Sequence, residues 1–331
     1  MPSPDMRRAM VEAPLGDDVF GDDPTTNRLM DVAAERMGKE AATFVPSGTM
    51  GNLLGVAINA KRGEELIADA DSHVFQYETA GAAAVCGVQI RPIPTAAGVM
   101  SPQQIVQAVR PRDDTHQPLT AAVTFENTHN RHGGVVWPLE ALQAASVAAH
   151  EQGLRVHLDG ARIFNAAVAL GVAAKDIAAT ADTVTFCLSK GLACPIGSIF
   201  CGSTEDINEA KRWRKRLGGG MRQVGVLAAA GLIALDHMVD RLAEDHANAR
   251  TLAEGLSELP GVKCDLGRVQ TNLVYFELTA MPAPAFIDEC ANRGVLGDWI
   301  DMRRIRFVTH YGVDAEDIQS TLKVCEEVLT A

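Results

Sequence analysis

From Ala41 to Cys201 the chain repeats one pattern: a short apolar, β-branched run, a polar break, and a longer stretch with apolar residues at helical spacing. The runs are 41–46, 65–70, 88–94, 119–125, 154–159, 183–188 and 197–201. Strands alternating with helices at this pitch predict an α/β fold with a mostly parallel central sheet and helices on both faces. In open sheets of this kind ligands bind at the carboxyl ends of the strands. Five of those ends carry, in turn, Ser47 and Thr49, His73, His129, Asp159 and Lys190.

Size and charge narrow the function classes. A chain of 331 residues, 47% hydrophobic and 22% charged, has room for a large domain and a smaller one. Residues 15–239 are expected to form the large domain, after an N-terminal segment 1–14 with a polar start. A break at Pro260-Gly261, strands near 271–276 and 304–310, and a helix from Ala283 to Arg293 mark a small α+β domain spanning 240–331. A formal charge of -12 argues against nucleic-acid or anionic-membrane partners, which need a basic face. The cluster Lys211–Arg216 is the exception, by default a solvated helix face. The acidic loop Gly16–Pro24, with no lysine nearby in sequence, reads as solvated or as part of a subunit contact. Seven cysteines make no CxxC pair and no zinc spacing, so reduced thiols and no bound metal are expected. The first residues lack a secretory signal, and no apolar run approaches a membrane span, so a cytoplasmic location is expected.

Each candidate site residue has a bland reading beside a chemical one. Ser47-Gly-Thr49 follows a strand and opens a helix, where free N–H groups, hydroxyls and the helix dipole suit an anion; it could equally be a simple cap. His73 could stack on a planar ligand or move a proton, or be a half-buried loop histidine. Lys190 closes the run Thr183–Leu188, before Gly191 and Pro195 keep the chain irregular. A partly desolvated amine there is a nucleophile for an aldehyde, whereas a lone lysine at a loop mouth more often keeps its head in water. Asp159 and Lys190 lie about one βαβ unit apart, which brings a carboxylate and an amine to neighbouring strand ends. The chain has no Walker loop and no G-x-G-x-x-G, so nucleoside triphosphates and dinucleotides lose their usual support.

Taken together, the groups match one cofactor, pyridoxal 5'-phosphate. Its aldehyde needs the amine of Lys190, its pyridine nitrogen an anion such as Asp159, its phosphate the N–H groups at Ser47–Thr49, and its ring a flat neighbour such as His73. Arg162, three residues after Asp159, can reach the ring hydroxyl or a substrate carboxylate.

The runs Gly16–Pro24, Pro46–Thr49, Glu126–Asn130, His157–Asn165, Leu188–Leu192, Arg212–Lys215 with Gly218–Gln223, and Arg306–His310 resemble the low-specificity L-threonine aldolases over nearly the whole chain. That family has the fold-type-I pyridoxal-phosphate architecture, the aspartate-aminotransferase fold. The resemblance implies that Lys190 forms the Schiff base, Asp159 partners the pyridine nitrogen, His73 stacks on the ring, and Ser47, Gly48 and Thr49 hold the phosphate. It implies that Arg162 and Arg306 grip the substrate carboxylate and that His129 lies near the substrate hydroxyl. Lys215 and Arg222 would reach across a dimer interface towards the neighbour's phosphate, in a homodimer or homotetramer. Family members usually begin with an Arg-Ser-Asp-Thr segment, not seen in this sequence. Phe20 stands where Tyr is frequent, and Cys194 where a small or hydroxyl residue is commoner.

The reaction implied is cleavage of L-threonine, L-allo-threonine and related β-hydroxy-α-amino acids to glycine and an aldehyde through an external aldimine, with His73, His129 or a water they hold as base. Another lyase, dehydratase or racemase of the same fold, or a cofactor-binding protein without turnover, remains open, because only pocket groups differ. A dehydrogenase is disfavoured by the missing glycine fingerprint.

Overall fold

The seven apolar runs form one sheet in the computed structural model, which describes residues 1–330. They are β1 (Ala41–Val45), β2 (Glu65–Asp69), β3 (Gln89–Ile93), β4 (Thr120–Glu126), β5 (Arg155–Asp159), β6 (Thr183–Cys187) and β7 (Ser198–Gly202). Their order is β1-β7-β6-β5-β4-β2-β3. Only β7 runs against its neighbours; the other pairings are parallel. Strands β2, β6 and β7 are buried along their whole length, as a sheet covered on both faces requires.

The two-residue period of each strand sorts its side chains between two layers. Phe44, Ile67, Val123, Phe125, Val156 and Phe186 join one large core with the helices Pro24–Met37, Leu139–Glu151 and Gly225–His237. Their neighbours Val45, Leu66, Ala68 and Ala122 pack on the other face, beneath the helix Gly48–Asn59. That helix starts at the carboxyl end of β1 and crosses over β5 and β6, so its first two turns overhang the strand ends where the site lies.

A second, antiparallel sheet follows, ordered β10-β11-β9-β8. Its strands are β8 (Val262–Cys264), β9 (Leu273–Leu278), β10 (Asp298–Trp299) and β11 (Arg304–Val308). Helices Leu242–Ser257, Ala283–Ala291 and Ala315–Thr330 share its core. In β11 the alternation decides function as well as packing. Ile305 and Phe307 enter that core, so Arg304 and Arg306 project from the opposite face.

The polar start holds an element that its composition hides. Pro4–Glu12 is a helix capped by Ser3, whose hydroxyl accepts the Met6 N–H at 3.1 Å. Met6 is fully buried in the large core, and the helix packs on Gly225–His237. Among the described residues, no helix is long and apolar enough to cross a membrane.

Candidate active site

At the end of β5, Asp159 is buried with both oxygens held: Oδ1 accepts the Ala161 N–H at 3.0 Å and Oδ2 accepts from Asn52 Nδ2 at 2.8 Å. Asn52, in the first half of the helix Gly48–Asn59, donates also to Glu78 Oε1 at 2.7 Å. Its amide is oriented from below. His157 Nδ1 lies 2.9 Å from the Thr183 hydroxyl and Nε2 3.4 Å from Asn52 Oδ1. Burial holds His157 at about 4, so it is neutral, and the tautomer that serves both contacts carries its hydrogen on Nε2. The Asn52 amino group is thereby turned to the two carboxylates.

Glu78 also meets His73, whose Nδ1 lies 2.8 Å from Glu78 Oε1. One ligating atom from each of His73, Glu78 and Asp159 falls within 4.8 Å of the others, so the expected ring neighbour and the expected pyridine partner share one locus. The hydrogen bond to Glu78 raises the His73 pKa, with support from Asp159 and Glu126 against burial. Burial raises the Glu78 pKa despite that bond. Both groups thus bind a proton more readily folded than unfolded. Their contribution to stability is full below the unfolded values, 4.5 for Glu78 and 6.5 for His73, and is lost as pH rises through the folded ones. Glu78→Gln removes the largest cause of the His73 shift. Its ring protons, followed by NMR, are expected to titrate at lower pH than in the parent; an unchanged midpoint would assign the shift to Asp159 and Glu126 instead.

Ser47 caps the helix Gly48–Asn59, its hydroxyl accepting the Met50 N–H at 3.2 Å. Helix geometry leaves the N–H groups of Gly48 and Thr49 with no acceptor in their own helix, at its positive end. The backbone here lies so close to β6 that a Cβ on Gly48 would sit 2.8 Å from Cys187 Sγ. The Ser47 cap thus leaves these two N–H groups open on the same turn.

Lys190 sits in a turn beyond β6, closed by the Ala193 N–H to the Lys190 carbonyl (2.9 Å) and by Cys194 N–H to Leu188 (3.1 Å). It lines a cleft of about 240 Å³ with Arg162, Ser189, Asn272 and His310. Arg162, just past Asp159, has no carboxylate partner among the described residues, and its Nε is buried and unpaired. Burial and the charge of Arg306 hold it below its ordinary pKa. Arg306 pairs through Nη2 with Asp298 at 3.0 Å, but its Nε is likewise buried and unpaired. Both guanidinium groups face Asn130 Oδ1, at 3.5 Å from Arg162 and 3.4 Å from Arg306. Two neighbouring cations left with spare buried donors form a seat for an anion.

Glu126, at the end of β4, ties these parts together. It accepts the His73 N–H at 2.6 Å and the Asn130 N–H at 2.8 Å. His129 is fully buried and pairs with Asp69: its Nε2 lies 3.1 Å from Asp69 Oδ1. Asn52, Glu78, Glu126 and Asn130 are the groups that sequence reasoning did not assign. An asparagine among the apolar residues of the helix Gly48–Asn59 was the one signal available for Asn52.

The acidic loop stays exposed at Val19–Asp22, but its aspartates are tied to the rest of the chain. Arg214 donates to Asp18 Oδ2 at 2.7 Å and to the Phe44 carbonyl at 2.9 Å, and Arg222 Nε donates to Asp17 Oδ2 at 2.6 Å. Its partners are arginines about two hundred residues downstream, which a search for nearby lysines misses. Lys215 stays exposed. The loop after it packs on the first turn of the helix Gly48–Asn59, where a Cβ on Gly219 would meet Met50 Sδ at 2.4 Å.

Comparison with known proteins gives the same direction. A family model described as beta-eliminating lyase matches residues 1–279. The chain is 42% identical over 333 residues to probable low-specificity L-threonine aldolase 2 of Arabidopsis thaliana, covering 99% of this chain and 94% of that one. It is 44% identical over 318 residues to low specificity L-threonine aldolase of Escherichia coli strain K12, covering 96% and 93%. The fold matches that of Leishmania major threonine aldolase with a TM-score of 0.84 at 20% identity, covering 99% and 96%. The chain belongs to the beta-eliminating lyase family, within its low-specificity L-threonine aldolase branch.

Proposed function

We propose that the protein binds pyridoxal 5'-phosphate and cleaves L-threonine, L-allo-threonine and related β-hydroxy-α-amino acids to glycine and an aldehyde. The observation that carries this is the paired Arg162 and Arg306, with spare buried donors, beside the Lys190 cleft and next to Asp159. Pyridoxal phosphate, when bound, supplies an aldehyde for the lysine and a conjugated ring that withdraws electrons from the substrate α-carbon. Lys190 would hold the aldehyde, Asp159 the ring nitrogen and His73 the ring face. The N–H groups of Gly48 and Thr49 and the hydroxyls of Ser47 and Thr49 would hold the phosphate. The unpaired helix start, the oriented carboxylate and the half-buried amine fit those demands.

The protein's own groups then do three things. Arg162 and Arg306 fix the substrate carboxylate, held at their spacing by Asn130. Fixing that end sets the angle of the α–β bond, which selects cleavage over loss of the α-proton or of the carboxylate. The hydroxyl proton passes to His73 or to a water that it holds, leaving the aldehyde. His73 keeps about 30% of its side chain exposed, whereas His129 is closed off against Asp69, which favours His73 as the direct acceptor. The exposed Lys215, and Arg222 beside it, supports a dimer in which this loop approaches the partner's phosphate. Residues 15–239 and 240–331 act as large and small domains in this reading, with β11 of the small one supplying Arg306.

Incubation with L-threonine is expected to give glycine and acetaldehyde in equal amounts. Ammonia with a 2-oxo acid would instead make it a dehydratase of the same fold. Arg306→Lys loses the planar fork; the loss of a charge-assisted bond, about 1.5–3 kcal/mol, should raise KM by roughly ten- to a hundredfold with a smaller change in kcat. An unchanged KM would remove Arg306 from the carboxylate seat.

A further inference from the structure

We propose that Asp69, His129 and His132 form a site for one divalent transition-metal ion of the zinc class, distinct from the Lys190 cleft. The residues come from the end of β2 and from the turn after β4, so no sequence spacing announces them. One ligating atom from each converges within 4.8 Å of the others. His129 Nε2 lies 3.1 Å and His132 Nε2 3.7 Å from Asp69 Oδ1, and His132 Nε2 is also 3.7 Å from Asp71 Oδ2. Around a tetrahedral ion with bonds of about 2.0–2.1 Å, ligand atoms stand about 3.3 Å apart, so these separations bracket what one ion needs.

The hydrogen bonding supports an ion over a purely polar knot. His132 Nε2 is buried and has no hydrogen-bond partner, yet it faces two carboxylate oxygens at a distance too long for a hydrogen bond. A shared cation resolves that arrangement. Asp69 is already oriented: the Thr95 hydroxyl donates to Oδ2 at 2.6 Å and the Asp71 N–H to Oδ1 at 2.8 Å, as supporting groups do around metal-binding carboxylates. Charge favours a cation too. Asp69, Asp71 and Glu126 surround the imidazoles, Glu126 Oε2 lying 3.9 Å from His129 Nε2, against the single guanidinium of Arg131 on Asp71. His132 also lines a cavity of about 620 Å³ with Arg131, Cys264 and Tyr275, which provides the path in. The pair of imidazoles and a carboxylate selects zinc, cobalt or nickel over calcium or magnesium.

The test is titration of the chelator-treated protein with Co²⁺, followed by visible difference spectroscopy, and equilibrium dialysis against Zn²⁺. One equivalent should bind, with cobalt bands of nitrogen and oxygen ligation and no thiolate charge-transfer band. His132→Ala should weaken binding by about tenfold or more, the scale known for loss of even a supporting group. Its melting temperature, read without metal, checks that it folds, and His132→Gln, which keeps polarity but not the imidazole, provides a second variant. Cys264→Ser, which removes the thiol of the same cavity, should bind as the parent does. Absence of saturable binding, binding untouched by both His132 variants, or binding abolished by Cys264→Ser would overturn the assignment.

Discussion

Lys190→Ala is expected to abolish the visible absorbance of lysine-bound cofactor and to lower kcat for L-threonine cleavage by about a thousandfold or more, the scale on which loss of a covalent nucleophile acts. The side chain is half-buried at the mouth of a turn whose closing hydrogen bonds run through backbone atoms, so the fold should survive its truncation. Borohydride treatment of the parent should fix the cofactor to the chain, and peptide mapping should find it on Lys190. The variant should take up no such label at that site. A variant that kept both colour and turnover would move the covalent role to another amine, and with it the meaning of Arg162 and Asp159. Among the side chains that line this cleft no other amine is found: Arg162 and His310 are the other basic ones.

The parts of this site that are legible in the sequence share one property. Ser47, Asp159 and Lys190 each follow directly on a β-branched or apolar run, and the sheet topology alone then brings them to a common edge. The strands themselves were readable because burial on both faces favours apolar and β-branched residues in most of them. The groups that were not legible act through contacts distant in sequence. Asn52 matters because it bridges Glu78 and Asp159, and Glu126 because it holds the backbones of His73 and Asn130. Nothing local distinguishes such residues from other polar side chains at helix surfaces and turns. The helix Pro4–Glu12 was hidden because little more than Met6 anchors it. The partners of the acidic loop were not legible because Arg214 and Arg222 stand about two hundred residues downstream of Asp18 and Asp17.

Asp159→Asn should be the most informative substitution after the lysine. Asparagine keeps the shape of the side chain but loses the charge, so the bond to a ring nitrogen no longer favours that nitrogen's protonated form. Removing one preorganised electrostatic group of this kind lowers kcat by about a hundred- to a thousandfold. Cofactor colour should persist, because Lys190 is untouched; that combination separates Asp159 from the lysine experiment. The variant also carries a stability signature. The new amino group cannot accept from Asn52, which His157 holds with its own amino group forward, so a buried donor goes unpaired at about 1–3 kcal/mol. Asp159 raises the pKa of both His73 and Glu78, so both groups should also titrate lower in the variant. Full turnover in Asp159→Asn, with those titrations shifted as expected, would show that the carboxylate serves the Asn52–Glu78–His73 network and not the cofactor.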